Sequence, residues 1–306
     1  MTMFEKASLV FSIQAGQLFE LKKITLGLKM DKRIERLWTS GQTAVCGWLL
    51  LPDALTAEVM ANQGYDAVTI DLQHGLIDYQ MALSMLQAMN GSSSIPFARV
   101  PWLDPAIIMK LLDAGILGII CPMINTADEA RRLASYVRYP PAGERSFGPA
   151  RAGFIVDPDY GGKANDMIQC LAMIETAEGY QNLEEIVQVK GIDGVYIGPI
   201  DLTLGLYGND LPIGIDREEP EMLEAIKRIL DSAHSAGKKA GIHCGTPEYA
   251  SRMADLGFDM VALSTDLGLF SSATKSSLEA TRRLISSDRM ESGSSPPSGK
   301  SLYSAQ

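Results

Sequence analysis

Eight short apolar runs recur along this chain, and segments of helical length or longer separate them. The runs are Ala44–Leu51, Ala67–Asp71, Pro96–Val100, Gly118–Cys121, Leu171–Glu175, Gly194–Ile197, Ala240–His243 and Met260–Leu263. Most are continuously apolar rather than alternating, as expected of strands covered on both faces. Helical patterns lie between and after them, at Ala54–Asn62, Tyr79–Met89, Pro105–Ala114, Ala127–Tyr136, Leu183–Gln188, Glu221–Ala236, Pro247–Leu256 and Ser272–Ile285. Gly64, Gly115, Gly237 and Gly257 stand where helix C-caps are expected, each shortly before a strand. Eight consecutive strand–helix units predict a closed (β/α)8 TIM barrel rather than an open doubly wound sheet. No Gly-x-Gly-x-x-Gly follows the first strand, which disfavours a dinucleotide-binding domain.

The barrel is expected over residues 31–286. Residues 1–30 read as an N-terminal extension, with Leu18–Leu28 a candidate strand or helix, and the Ser/Pro/Gly-rich residues 287–306 read as a disordered tail. A long irregular stretch, Tyr139 to Tyr160, lies between the fourth and fifth strands and reads as a functional loop on the C-terminal face. A net charge of −10 and a pI of about 4.9 argue against nucleic acid or an anionic membrane as partner. No apolar run reaches membrane-spanning length, and the short run at Ser8–Ile13 does not read as a secretory signal. Cys46, Cys121, Cys170 and Cys244 sit in predicted strands without metal-type spacing. They read as reduced core thiols of a cytoplasmic protein.

Two carboxylates draw attention. Glu175 closes one strand, and Asp201 follows Val195–Ile200 at the end of the next. Parallel neighbours would place both acids side by side at the C-terminal face. Such a pair needs a positive partner. A hard divalent cation fits, with Mg²⁺ expected first and Mn²⁺ or Co²⁺ also suited to oxygen ligands. The alternative is ion pairing with Arg145 or Arg151. Asp201 also opens a short helix whose backbone N–H groups suit a substrate carboxylate. His74 ends the second strand three residues after Asp71, either as a turn histidine or as a general base oriented by a carboxylate. Arg99 ends the third strand, either in a structural ion pair or as a fork for a carboxylate or enolate oxygen. His243 either lines the pocket or fills the barrel, and His234 is expected to be solvated.

Several strings together resemble one family. They are Ile70-Asp71-Leu72-Gln73-His74-Gly75, Arg99-Val100-Pro101, Tyr139–Gly148, Ile174-Glu175-Thr176 and Gly191–Gly194 with Ile197–Leu202. In order and spacing, from about residue 30 to 285, they are similar to the HpcH/HpaI aldolase (citrate lyase-like) family. The resemblance implies a barrel of the phosphoenolpyruvate/pyruvate type, its last helix swapped between subunits of a hexamer built from two trimers. It implies class II aldol chemistry on a small 2-oxo acid and an aldehyde, with a metal on Glu175 and Asp201 and an enolate stabilised by Arg99. His74 would be the base. Asp71 and Asp113 match acidic positions that orient this machinery, and Trp48 matches an aromatic at the pyruvate pocket. Backbone near Pro199, Ile200 and Asp201 would hold the carboxylate. The chain departs where many members carry Gly-Glu-His, having Leu72-Gln73-His74, and Phe147 is expected to add bulk at the mouth. Alternatives are an oxaloacetate decarboxylase, a macrophomate synthase-like enzyme, or a barrel that binds a 2-oxo acid without turnover. The aldehyde is not legible.

Overall fold

The computed structural model describes residues 33–291; the expected N-terminal extension and residues 292–306 lie outside them. Eight parallel strands close into a barrel in sequence order. They are β1 (Ala44–Leu49), β2 (Ala67–Asp71), β3 (Ile95–Arg99), β4 (Gly118–Cys121), β5 (Gln169–Ile174), β6 (Gly194–Ile197), β7 (Lys239–Cys244) and β8 (Met260–Leu263). Each expected apolar run is a strand, with ends displaced by up to two residues. Five helices cover the first half: α1 (Arg33–Thr39), α2 (Ala54–Ala61), α3 (Tyr79–Ala88), α4 (Pro105–Ala114) and α5 (Ala127–Val137). The chain continues through α6 (Ala152–Ile155), α7 (Tyr160–Met167), α8 (Ala177–Gln181), α9 (Leu183–Val187), α10 (Pro199–Tyr207), α11 (Pro220–Ser235), α12 (Pro247–Leu256) and α13 (Asp266–Glu291).

Side-chain caps set several helix starts. Asp53, Asp78 and Thr246 each accept an N–H from the first turn of α2, α3 and α12, and Thr126 forms a reciprocal capping box with Glu129 at α5. Strands β2, β4, β5 and β6 are buried from end to end, and rings fill the barrel where glycine makes room. A Cβ at Gly118 would lie 2.1 Å from the fully buried Phe97 ring, and one at Gly241 would lie 2.7 Å from Tyr196.

A repeated device closes the N-terminal end. The sequence Gly-x-Asp directly precedes β2, β6 and β8, as Gly64-Tyr65-Asp66, Gly191-Ile192-Asp193 and Gly257-Phe258-Asp259. Each glycine has positive φ, at 99°, 96° and 114°, where a side chain would be strained. Each aspartate then accepts the N–H of a residue on the preceding strand. Val45, Cys170 and Ala240 donate at 3.0, 2.7 and 2.9 Å. Arg138 binds Asp193, and Lys239 and His234 bind Asp259 at 2.8 and 2.9 Å. His234, expected to be solvated, is exposed and also hydrogen-bonds Asp259 at this end.

The Tyr139–Tyr160 stretch belongs to the same end, which corrects the expectation of a loop on the C-terminal face. Helix α5 first carries the chain back from the end of β4, so the stretch joins a helix to a strand. Phe147, 70% exposed, packs on Tyr139 at 5.2 Å between ring centroids and cannot narrow the mouth of its own barrel. The last helix, α13, forms a unit of its own with residues beyond Asp266. It runs through residues 287–291, part of the segment expected to be a tail, and exposes Phe270, Leu278 and Ile285.

Gly118→Ala should destabilise the barrel by about 1–3 kcal/mol, the usual range for overpacking a core. Denaturant unfolding checks this, and adding Phe97→Leu should recover part of the loss. An unchanged midpoint in Gly118→Ala would refute the packing argument.

Candidate active site

Barrel closure brings the C-terminal ends of β1, β2, β3, β5, β6 and β7 around one space, and most of the singled-out residues stand there. Asp71 and Arg99 are register partners at the ends of β2 and β3. Their side chains form a two-point pair: Arg99 Nε donates to Asp71 Oδ1 at 2.9 Å, and Nη2 donates to Oδ2. Trp48 Nε1, from β1, donates to Oδ2 at 3.1 Å, and the N–H groups of Gln73 and His74 donate to Oδ1 at 2.9 and 3.2 Å. Burial alone would raise the Asp71 carboxyl. Arg99, Trp48 and the Gln73 N–H outweigh burial and hold it below its ordinary value. Asp71 therefore orients Arg99 and the backbone of the His74 turn, and the exposed His74 imidazole projects from that turn.

Glu175 follows β5 directly and is 2% exposed. Its Oε1 accepts the Met123 N–H at 2.8 Å. Met123 lies just past β4 with φ at 57°, an unfavourable conformation for a side-chain-bearing residue, and this turn aims its N–H at the carboxylate. The other oxygen, Oε2, lies over Gly198, where a Cβ would sit 2.5 Å away. Only glycine admits the carboxylate so close to the start of α10. Asp201 stands in the first turn of that helix, half-buried. Burial first, then the Asp201 charge, raises the Glu175 carboxyl to about 7, against the Met123 N–H and Arg99.

Among the described residues, neither acid has an ion-pair partner. The two alternatives are engaged elsewhere: Arg145 with Asp113 and Tyr160, Arg151 with Asn90 and the carbonyls of Leu86 and Ala114. Helix α10 lacks a side-chain cap, and its first backbone bond runs from Leu202 N–H to Gly198 O. The Ile200 and Asp201 N–H groups are thus left without helix partners beside the two acids. Pro199 has no N–H to give; its place is the first helical position, where fixed φ suits the turn.

Asp113 is not brought to this cluster. It lies at the C-terminal end of α4, just before β4 begins, and binds Arg145 at 2.7 Å. That is the opposite end of its own barrel. The residues not singled out beforehand are Met123, Gly198 and Tyr196. Tyr196 stacks on Trp48 at 5.6 Å, and His243 meets Trp48 edge-on at 4.8 Å. Gly198 before Pro199 was the available signal for a close approach; Met123 carried none.

A buried and a half-buried carboxylate, with no ion-pair partner among the described residues, fit a hard divalent ion that completes its shell with water and substrate. They do not fit a zinc-type cage, since no group of three or more His, Cys, Asp or Glu is poised for a metal among the described residues.

Comparison with known proteins agrees with this geometry. The family model for HpcH/HpaI aldolase/citrate lyase matches residues 45–273. A hydroxypyruvate/pyruvate aldolase of Rhizorhabdus wittichii is 44% identical, covering 82% of this chain and 99% of that protein. A 4-hydroxy-2-oxo-heptane-1,7-dioate aldolase of Shigella flexneri is 37% identical, covering 80% and 91%. A crystal structure of an HpcH/HpaI aldolase/citrate lyase family protein from Burkholderia cenocepacia superposes with a TM-score of 0.76 at 29% identity, covering 83% of this chain and all of that one. A match across three quarters of the chain, on the barrel that carries Asp71, Arg99, Glu175 and Asp201, means that this chain belongs to the HpcH/HpaI aldolase/citrate lyase family.

Proposed function

We propose that this carbon–carbon lyase reversibly splits a 4-hydroxy-2-oxo acid into pyruvate and an aldehyde, with a divalent cation held by Glu175 and Asp201. The observation that carries the reading is the buried Glu175 carboxylate, set against Asp201 with no ion-pair partner among the described residues. The bound ion would supply Lewis-acid polarisation of the 2-oxo group. Mg²⁺ is the first choice for two carboxylates and an otherwise open shell.

The chain's own groups divide the remaining work. The free N–H groups of Ile200 and Asp201 receive the substrate carboxylate at the positive end of α10. Arg99, fixed by Asp71, presents guanidinium donors to the 2-oxo oxygen, which gains negative charge as the C3–C4 bond breaks. Because its fork is already oriented, little reorganisation accompanies that charge. Trp48 walls the pocket on the face opposite solvent. His74 takes the proton of the 4-hydroxyl as the aldehyde leaves. Its exposed ring on an anchored turn suits a group that must meet a varied acceptor. Asp113 has no part within its own barrel.

The exposed apolar residues of α13 support a homo-oligomer, with that helix exchanged between subunits of a hexamer. The four buried free cysteines support a cytoplasmic location. No helix among the described residues is long and apolar enough to cross a membrane.

Incubation with pyruvate, Mg²⁺ and an aldehyde panel, with products identified by mass, tests the activity directly. Deuterium exchange at the pyruvate methyl should require a divalent ion. Arg99→Lys should slow it by about 100–1,000-fold, the usual loss for an oriented donor to an oxyanion. Exchange unaffected by the substitution removes Arg99 from the role. The Glu175 shift sets a second outcome. Its folded-state pKa is raised from 4.5 to about 7, so its stabilising effect is full below about 4.5 and is lost as pH rises through about 7. Metal-free wild type should lose stability relative to Glu175→Gln across that window, and Mg²⁺ should restore it above pH 7. A pH-independent difference contradicts the burial argument.

A further inference from the structure

His243 is the penultimate residue of β7, inside the barrel, and is a titratable side chain that the reaction above leaves unused. Its ring stands at 88° to the Trp48 indole, 4.8 Å between centroids. Arg99 lies over that same indole at 5.1 Å. One aromatic ring therefore separates His243 from the guanidinium that meets the 2-oxo oxygen. On its other side, Nδ1 is 3.4 Å from the Tyr196 hydroxyl. Tyr196 and Trp48 are sealed, each 1% exposed, while His243 is partly open. Its Nε2 makes no hydrogen bond among the described residues and is not one of the sealed, unpartnered polar atoms. That nitrogen is therefore accessible.

The charge state of the ring follows from its surroundings. Burial, then Arg99, lowers its pKa to about 4, against the pull of Asp71 and Asp216. At neutral pH the ring is uncharged, so it acts as neither cation nor strong base. It offers one hydrogen-bonding nitrogen. A leucine would fill the same space against Trp48, whereas an imidazole nitrogen left facing a methyl group is unsatisfied.

The direction it faces follows from the three-carbon nucleophile. Its carboxylate goes to the start of α10 beyond β6, and its 2-oxo oxygen to Arg99 on β3. The third carbon is then left toward the wall built by Trp48 on β1 and His243 on β7. We infer that His243 is the specificity-determining residue for the substituent on C3 of the 2-oxo acid, letting the site take a 3-hydroxy-2-oxo acid of three carbons as well as pyruvate; this rests on the aldolase reading of the site. If Tyr196 donates to Nδ1, Nε2 carries the proton and donates to the C3 hydroxyl. In the other tautomer Nε2 accepts from it. A hydroxyl meets either, and a methyl meets neither.

The test compares hydroxypyruvate with pyruvate as nucleophile, using one aldehyde acceptor and saturating Mg²⁺, in wild type, His243→Leu and His243→Gln. Wild type should turn over both donors, and the readout is the ratio of kcat/KM for hydroxypyruvate over pyruvate. It should fall about tenfold in His243→Leu, the worth of one hydrogen bond. His243→Gln should recover part of it. A purely structural histidine would lower both donors in parallel, and an unchanged ratio in a folded His243→Leu overturns the inference while leaving the aldolase reading intact. Wild type inactive on both donors overturns the aldolase reading, and the His243 assignment with it.

Discussion

The buried Asp71 carboxylate ties the C-terminal face of the barrel together. It receives both prongs of Arg99 from β3, the indole N–H of Trp48 from β1, and two backbone N–H groups of the turn after β2. Each contact supports the others. Without Asp71, Arg99 would be a largely buried cation with no anion, which costs far more than an ordinary lost hydrogen bond. Trp48 would lose its polar anchor, and the His74 turn would lose the acceptor that shapes it. The positions of Arg99, of the Trp48 ring and of the His74 turn all follow from this one group.

The two ends of the barrel use charge differently. At the N-terminal end, Asp193 and Asp259 are each matched by a cationic side chain, Arg138 and Lys239, as well as by strand N–H groups. These acids are compensated and serve the fold. At the C-terminal end, Glu175 is 2% exposed, receives a single N–H and faces Asp201. The protein holds one of its deepest carboxylates where it is least compensated, with a positive-φ Met123 and a glycine cradle arranged around it. That arrangement is unfavourable unless an ion arrives, which is why the proposed function ties metal binding to catalysis.

Much of this was legible in the sequence because strands covered on both faces are continuously apolar. Their ends also mark where the candidate catalytic groups stand. Glu175, Asp201, Asp71, Arg99 and Trp48 all came from that logic or from a resemblance resting on the same strings. What failed was the placement of segments that require counting passes across the barrel. The Tyr139–Tyr160 stretch and Asp113 belong to the N-terminal end because α5 and α4 each return the chain there, and neither local composition nor motif records that return. His243 stayed undecided because its role depends on Trp48 and Tyr196, which come from two other strands. The Gly-x-Asp repeat was in plain view. Its meaning emerged only once each aspartate was seen to reach the preceding strand, a contact between residues 19 to 23 positions apart.

The central claim is that Glu175 and Asp201 form the cation site on which the chemistry depends. Electron paramagnetic resonance of a Mn²⁺ titration tests it most directly, comparing wild type with folded Glu175→Gln at pH 8. The account expects one bound ion per chain in wild type, a spectrum that changes when pyruvate is added, and no such site in Glu175→Gln. Undiminished Mn²⁺ binding by Glu175→Gln, with the same response to pyruvate, would contradict it.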